Sequence, residues 1–321
     1  MTTGSSTART ERTRLAPSPT GALHPGNART FLITWALARR RSWRVLLRVE
    51  DLDTPRVKPE AVDETISLLQ WLGLDWDEGP ILQSRQPEPA VEAMRALARA
   101  GRVYPCALTR SQIAKAASAP QQGAAPAPFP RALRPPIGPR AFDDPHTNWR
   151  FAVDREEVVV EDAFHGQVRV PVAQRLGDAV VWTRRGQPAY QLAVVVDDHR
   201  QGVTQVVRGD DLLDSAALQR LLYEALEYAP QPSWTHVPLV VGPDGRRLAK
   251  RHGDSRLSRC RALGVPAERV VGWVAWTCGL TAAPAPMDAQ EFAQRFDLSL
   301  LPRGPVVYGP EDDAWLRERR R

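Results

Sequence analysis

The spacing of apolar and polar positions changes along this chain in the order strand, helix, strand, helix. The run from Arg14 reads as a buried strand that ends in a Pro/Gly-rich turn. That turn opens directly into a helix near Pro25, with Phe31, Leu32, Trp35 and Leu37 on its inner side. Residues 43–49 are a short β-branched and apolar run between two helical stretches, which predicts a second parallel strand. From Pro59, which suits a first-turn position, Ala61, Val62, Ile66, Leu69 and Leu72 recur at helical spacing. Residues 87–100 predict another amphipathic helix. The alternation with short connections predicts an α/β fold built on a doubly wound parallel sheet.

Residues 114–139 break the pattern: Ala, Pro and Gln crowd the stretch and neither period survives, so it reads as a flexible connector. Short β-like runs follow between Trp149 and Val170, and they predict a small α+β insertion between two halves of the sheet. The chain is expected to return to the sheet at Tyr190–Val196, with Val203–Arg208 as the next strand. A helix over Ser215–Tyr228 and a strand over Pro238–Val241 complete that half. Ser255–Leu280 predicts a short helical region, and the tail beyond it is weakly patterned.

Composition bounds the class of protein. The 321 residues are 43% hydrophobic and 25% charged, enough for one large α/β domain with an appended smaller unit. No apolar run has membrane-spanning length and no signal-peptide core precedes the first strand, so no membrane and a cytoplasmic location are expected. Cys106, Cys260 and Cys278 are too few and too scattered for a disulfide framework or a four-cysteine metal site. A net charge of +6 favours polyanionic partners. Arginine carries nearly all of the positive charge, since lysine occurs only at positions 58, 115 and 250. Lys250 stands in a glycine-flanked basic loop where the rest of the chain would use Arg, which points to a phosphate-directed role.

Candidate chemistry begins at the first turn. A strand followed by a helix N-terminus offers backbone N–H groups and a positive dipole end to a phosphate, and His24 and Asn27 stand there as polar donors. Read with residues 48–55 and 245–253, this segment resembles the class I aminoacyl-tRNA synthetases of the glutamyl type. The motifs are RLAPSPTGALHPGNAR from Arg14, RVEDLDTPR from Arg48, Tyr190, RGDDLL from Arg208 and GRRLAKRHG from Gly245, in the family's order over roughly residues 13–280. His24 to Asn27 stand for the HIGH signature and Arg247 to Arg251 for the KMSKS loop. Asn27 replaces the second histidine, and only the second lysine position, Lys250, is kept in the loop.

The resemblance implies a Rossmann-like catalytic domain in two halves, residues 13–105 and 187–244. They are separated by a connector and acceptor-binding-like insertion over 106–186. A flexible tail over 1–12 precedes them, and the KMSKS-like loop with a short C-terminal helical region covers 245–321. It implies that His24, Gly26, Asn27 and Lys250 bind ATP, with His24, Asn27 and Lys250 catalytic, and that Mg²⁺ accompanies the nucleotide. Arg14, Leu15, Ala16, Pro17, Ser18, Glu50, Tyr190 and Arg208 would hold glutamate. In charge terms Arg14 and Arg208 face its carboxylates and Glu50 its ammonium group.

Two departures narrow the expectation. The stretch beyond Lys250 is too short for a large helical anticodon-binding domain. The chain is thus similar to the truncated branch of the family, the glutamyl-queuosine tRNA(Asp) synthetases. That branch implies tRNA-independent activation of glutamate with ATP, and its transfer to queuosine in the anticodon loop of tRNA(Asp). A stand-alone ligase charging the tRNA 3′ end, or a non-catalytic tRNA- or metabolite-binding paralogue, stays open beside it. A monomer is expected. The branch commonly binds zinc through a Cys-x-Cys pair, a tyrosine and a third cysteine. Here Cys106 stands alone, with Leu108, Phe129 and Leu133 at the other positions, so no zinc is expected, and these side chains are expected to pack as an apolar cluster.

Overall fold

A computed structural model describes residues 10–19, 22–52, 57, 59–109, 111–113, 128–246, 248 and 256–317. By compactness the chain divides into two units. One comprises residues 1–82, 203–210 and 237–321, and the other 83–202 and 211–236. This is a different cut from the boundaries expected at 105, 186 and 244.

The first unit is the parallel, Rossmann-like part. β1 (Arg12–Leu15) pairs parallel with β2 (Arg44–Val49), which pairs parallel with β3 (Glu78–Leu82). Between the first two strands runs α1 (Pro25–Arg40), and between the next two α2 (Pro59–Trp71). Such crossovers are what parallel pairing demands. Gly79 has φ near +98°, and a Cβ there would lie 2.3 Å from the Leu47 carbonyl oxygen, so β3 can approach β2 only with glycine at that point. On its other side β1 meets the segment that leads into the strand Gln205–Gly209, where the Thr204 N–H donates to the Arg12 carbonyl at 2.9 Å.

Leu32, Ile33, Ala36 and Trp35 of α1 are buried, and the helix packs against the helices Ala267–Thr277 and Ala289–Arg295. As far as residue 317 the weakly patterned tail has regular structure. It forms the helices Ala289–Arg295 and Pro310–Arg317 and a two-residue strand, Val306–Val307, parallel to Val240–Val241. The expected helical stretch 255–280 is two helices, Leu257–Ala262 and Ala267–Thr277.

In the second unit Val103–Cys106, Asn148–Phe151, Val180–Thr183 and Gln187–Pro188 form an antiparallel sheet. Val158–Asp162 and Gly166–Val170 form a hairpin beside Ser233–Val237. Phe142 meets Trp149 and Trp182 edge-on, each at 5.1 Å between ring centroids. The helices Glu88–Arg99, Tyr190–Arg200 and Leu213–Ala225 and the short helix Val172–Arg175 belong to the same unit.

One expectation is overturned here. Tyr190–Val196 is no strand; it opens the helix Tyr190–Arg200. Leu192 through Asp198 are all buried, and a helix buried on every side shows the same unbroken apolar run as a buried strand. The strand expected over Pro238–Val241 is confined to Val240–Val241. Among the described residues no helix is long and apolar enough to cross a membrane.

Candidate active site

The first unit brings most of the expected site residues onto two adjoining strand ends and one helix start. Arg14 lies on β1 with only 4% of its surface exposed, and its Nη1 donates to the Val207 carbonyl at 3.3 Å. Arg208 follows Val207 and is also buried. Two guanidinium groups, far apart in sequence, thus stand on neighbouring strands. Leu15 is fully buried, Pro17 is buried, Ala16 is half-buried and Ser18 is exposed.

Glu50 is drawn to this edge by the backbone. Its N–H donates to the Pro17 carbonyl at 2.9 Å, so the end of β2 runs on beside the Arg14–Ser18 segment. Its side chain accepts from Arg48 Nη2 at 3.3 Å, and the Arg48 side chain is wholly buried. Arg48 was not anticipated as part of the site. A charged residue inside the apolar run Arg44–Val49 was the available signal, because burying a guanidinium is costly without a partner.

His24 is the residue before α1, with extended backbone, and Pro25 occupies the first helical position. The His24 N–H donates to Asn27 Oδ1 at 3.0 Å, while the His24 carbonyl accepts from the N–H groups of Asn27 and Ala28 at 2.8 and 3.1 Å. Asn27 thereby closes the helix start with its oxygen and keeps its amide NH₂ directed elsewhere, as a capping-box residue does. A Cβ at Gly26 would sit 3.0 Å from the His24 ring and 3.1 Å from Val240 Cβ, so glycine lets both approach the helix start. The first turn of α1 carries no acidic residue, which leaves its positive end open to an anion.

The stretch that follows Val240 folds back at this corner. Gly242 and Arg246 close a tight turn, with the Gly242 N–H donating to the Arg246 carbonyl at 2.8 Å. Leu248 is buried, and its N–H donates to the Val240 carbonyl at 3.3 Å. Leu257 is buried and donates to the Leu23 carbonyl at 2.9 Å. Lys250, with Arg247, Ala249 and Arg251, lies outside the described residues. Tyr190 belongs to the second unit, where it is the first residue of its helix and 39% exposed.

The corner compared above with a zinc site is also in the second unit. Tyr104, Cys106, Phe129 and Ala152 form a buried cluster, with Leu108, Ile113 and Leu133 packed on it. Beside it Asp178 accepts from Tyr104 Oη at 2.5 Å, from Arg134 Nε at 2.6 Å and from the Val153 N–H at 2.8 Å. Burial, and then the bond to Asp178, push the Tyr104 phenol well above its usual range. Residues 107–142 contain no Cys, His, Asp or Glu, and the carboxylate of Asp178 is already engaged. One thiol among aromatic and aliphatic side chains does not fit a zinc ion, which takes four donors.

Residues 11–307 match the family described as tRNA synthetases class I (E and Q), catalytic domain, and the chain belongs to that family. It is 45% identical to the glutamyl-Q tRNA(Asp) synthetase of Rhodopirellula baltica, over 92% of this chain and 95% of the relative. It is likewise 45% identical to the protein of the same name from Symbiobacterium thermophilum, over 94% and 97%. With glutamate–tRNA ligase 2 of Halorhodospira halophila it shares 36% identity, over 96% of this chain but 65% of that protein. In fold it is similar to the glutamate–tRNA synthetase of Elizabethkingia anophelis, with a TM-score of 0.74 at 23% identity, covering 96% of this chain and 70% of that one.

Proposed function

We propose that the protein activates glutamate with ATP, without needing tRNA, and transfers it to queuosine in the anticodon loop of tRNA(Asp). The observation that carries this reading is the degree of likeness: 45% identity over 95% of the R. baltica glutamyl-Q tRNA(Asp) synthetase, against 36% identity with the H. halophila glutamate–tRNA ligase.

In the first step a carboxylate oxygen of glutamate attacks the α-phosphorus of ATP. The bond to the bridging oxygen breaks and pyrophosphate leaves, giving glutamyl-adenylate. In the second, a hydroxyl of the queuosine cyclopentene-diol attacks the glutamyl carbonyl and AMP leaves. Positioning and charge compensation carry such chemistry. Arg14 and Arg208, on neighbouring strands, suit the substrate carboxylates, and Glu50 suits its ammonium group. Leu15, Ala16, Pro17 and Ser18 would line the substrate along the strand edge, and Tyr190 would add a hydroxyl. The start of α1, with His24, Gly26 and the amide of Asn27, suits the triphosphate, and Mg²⁺ accompanying ATP would neutralise phosphate charge. Lys250 would meet the β- and γ-phosphates. Its support is its place in sequence between Leu248 and Leu257, whose backbone bonds reach Val240 and Leu23 beside the His24 corner. The protein would act as a monomer in the cytoplasm.

The test is where labelled glutamate goes in tRNA pools from cells with and without queuosine, mapped by nuclease digestion. Label in the anticodon-loop fragment of queuosine-bearing tRNA(Asp) is expected. Label on the 3′-terminal adenosine would establish a 3′-end ligase instead, and no glutamate-dependent ATP–pyrophosphate exchange would leave a binding paralogue.

A further inference from the structure

Arg29 is a buried cation of the first unit that the proposed chemistry does not use. It lies on α1, two residues past Asn27, with 1% of its surface exposed. Its Nη1 donates to the Pro238 carbonyl at 2.6 Å, and its Nε and Nη2 make no hydrogen bond to nitrogen or oxygen among the described residues. Arg29 also acts on the thiol of Cys278, which burial pushes up to about 11 although Arg29 works in the opposite sense. A guanidinium held on one carbonyl in the interior is a poor stabiliser, since a well-packed apolar side chain of similar volume is often as good or better.

The carbonyl it holds explains its place. Pro238 leads into Val240–Val241, Val240 lies against Gly26, and the Val240 carbonyl receives the Leu248 N–H. From the far side Val306–Val307 pairs with the same two residues, the Tyr308 N–H reaching the Val241 carbonyl at 2.8 Å. We infer that Arg29 is a positioning residue: by fixing the Pro238 carbonyl to α1, it sets the distance between the His24 helix start and Leu248, the root of the segment carrying Lys250. Arg29 thereby acts on use of the nucleotide and not on recognition of the amino acid. Its catalytic consequence rests on the proposed activation of glutamate, whereas its structural consequence does not.

Two variants of the full-length protein test this, Arg29→Met and Arg29→Lys, each with three readouts: thermal unfolding, hydrogen exchange at the Leu248 amide, and glutamate-dependent ATP–pyrophosphate exchange. Arg29→Met is expected to unfold near the wild-type temperature. Its Leu248 amide should lose protection about tenfold and its kcat/KM for ATP should fall about tenfold, with the KM for glutamate unchanged. Arg29→Lys, which keeps a donor on a shorter reach, should recover part of both losses. Unchanged Leu248 protection in a folded Arg29→Met protein overturns the inference, as does an equal loss for ATP and glutamate. If Arg29→Met does not fold, Arg29→Lys decides by the same two measures. If the wild-type protein itself shows no exchange activity, the proposed function fails, and Leu248 protection still decides the role of Arg29.

Discussion

The N–H of Leu257 donates to the carbonyl of Leu23 at 2.9 Å, so Leu257 is tied to the residue before His24. Leu248 is bonded to Val240, which lies against Gly26. Leu248 and Leu257, more than two hundred residues from His24 in sequence, are thus both tied to one corner of the first unit.

Lys250 should matter for the nucleotide alone. Lys250→Ala is expected to lower the rate of glutamate-dependent pyrophosphate exchange by about 10²–10³-fold, the usual cost of removing one charge-stabilising donor. Equilibrium binding of glutamate should not change. Titration calorimetry with glutamate beside the exchange assay checks both halves.

Asn27 carries two loads that substitutions separate. Asn27→Ala removes the acceptor for the His24 N–H and should cost about 1 kcal/mol of stability. Asn27→Asp keeps an acceptor but replaces the amide donor with negative charge, so the melting temperature should hold while the KM for ATP rises.

Glu50→Gln is expected to raise the KM for glutamate by weakening the partner of its ammonium group. The same change removes the charge that meets the buried Arg48 and should cost about 1–3 kcal/mol in denaturant unfolding. A variant with full stability and a normal KM would count against both assignments.

Acid should unfold the second unit through Asp162. Burial would raise this carboxyl, but hydrogen bonds from His236, and then from the N–H groups of His165 and Phe164, outweigh it and hold its pKa below the ordinary 3.8. A lowered carboxyl contributes its stability above the unfolded pKa and loses it as pH falls through the folded value. Asp162→Asn should therefore be less stable than wild type at pH 7, with the difference shrinking below about pH 4. Urea unfolding at several pH values checks this.

Treatment with a strong chelator should leave the melting temperature unchanged, and elemental analysis should find no stoichiometric zinc in the purified protein. Asp178→Ala, by contrast, should cost about 3–5 kcal/mol, because it strands Arg134 and the Tyr104 hydroxyl at a buried point. Bound zinc lost together with stability would refute the apolar reading of this corner.

Several elements were legible from local pattern. β2, α2 and the helix Glu88–Arg99 lie within a residue or so of their expected bounds and α1 starts at Pro25 as expected, because helical spacing or a short β-branched run between helices reports the element directly. The cluster around Cys106 was also legible, since three apolar side chains stand where donors would be. The helix Tyr190–Arg200 was misread because burial on all sides erases the period. The strand Val306–Val307 and the last helices were missed, because a two-residue strand and short amphipathic turns leave little pattern.

The order of motifs, the charges proposed to meet glutamate and the family could be read from residues along the chain, since side-chain chemistry and local spacing need no partner to be read. The tertiary structure alone decided that Arg14 reaches the residue before Arg208, that Arg48 stands against Glu50, and that Arg29 holds Pro238. These are contacts between residues as much as 209 positions apart or between side chains whose burial depends on the neighbouring strand. The free energy that selects them comes from closing the whole sheet and burying its donors together, which no local period records.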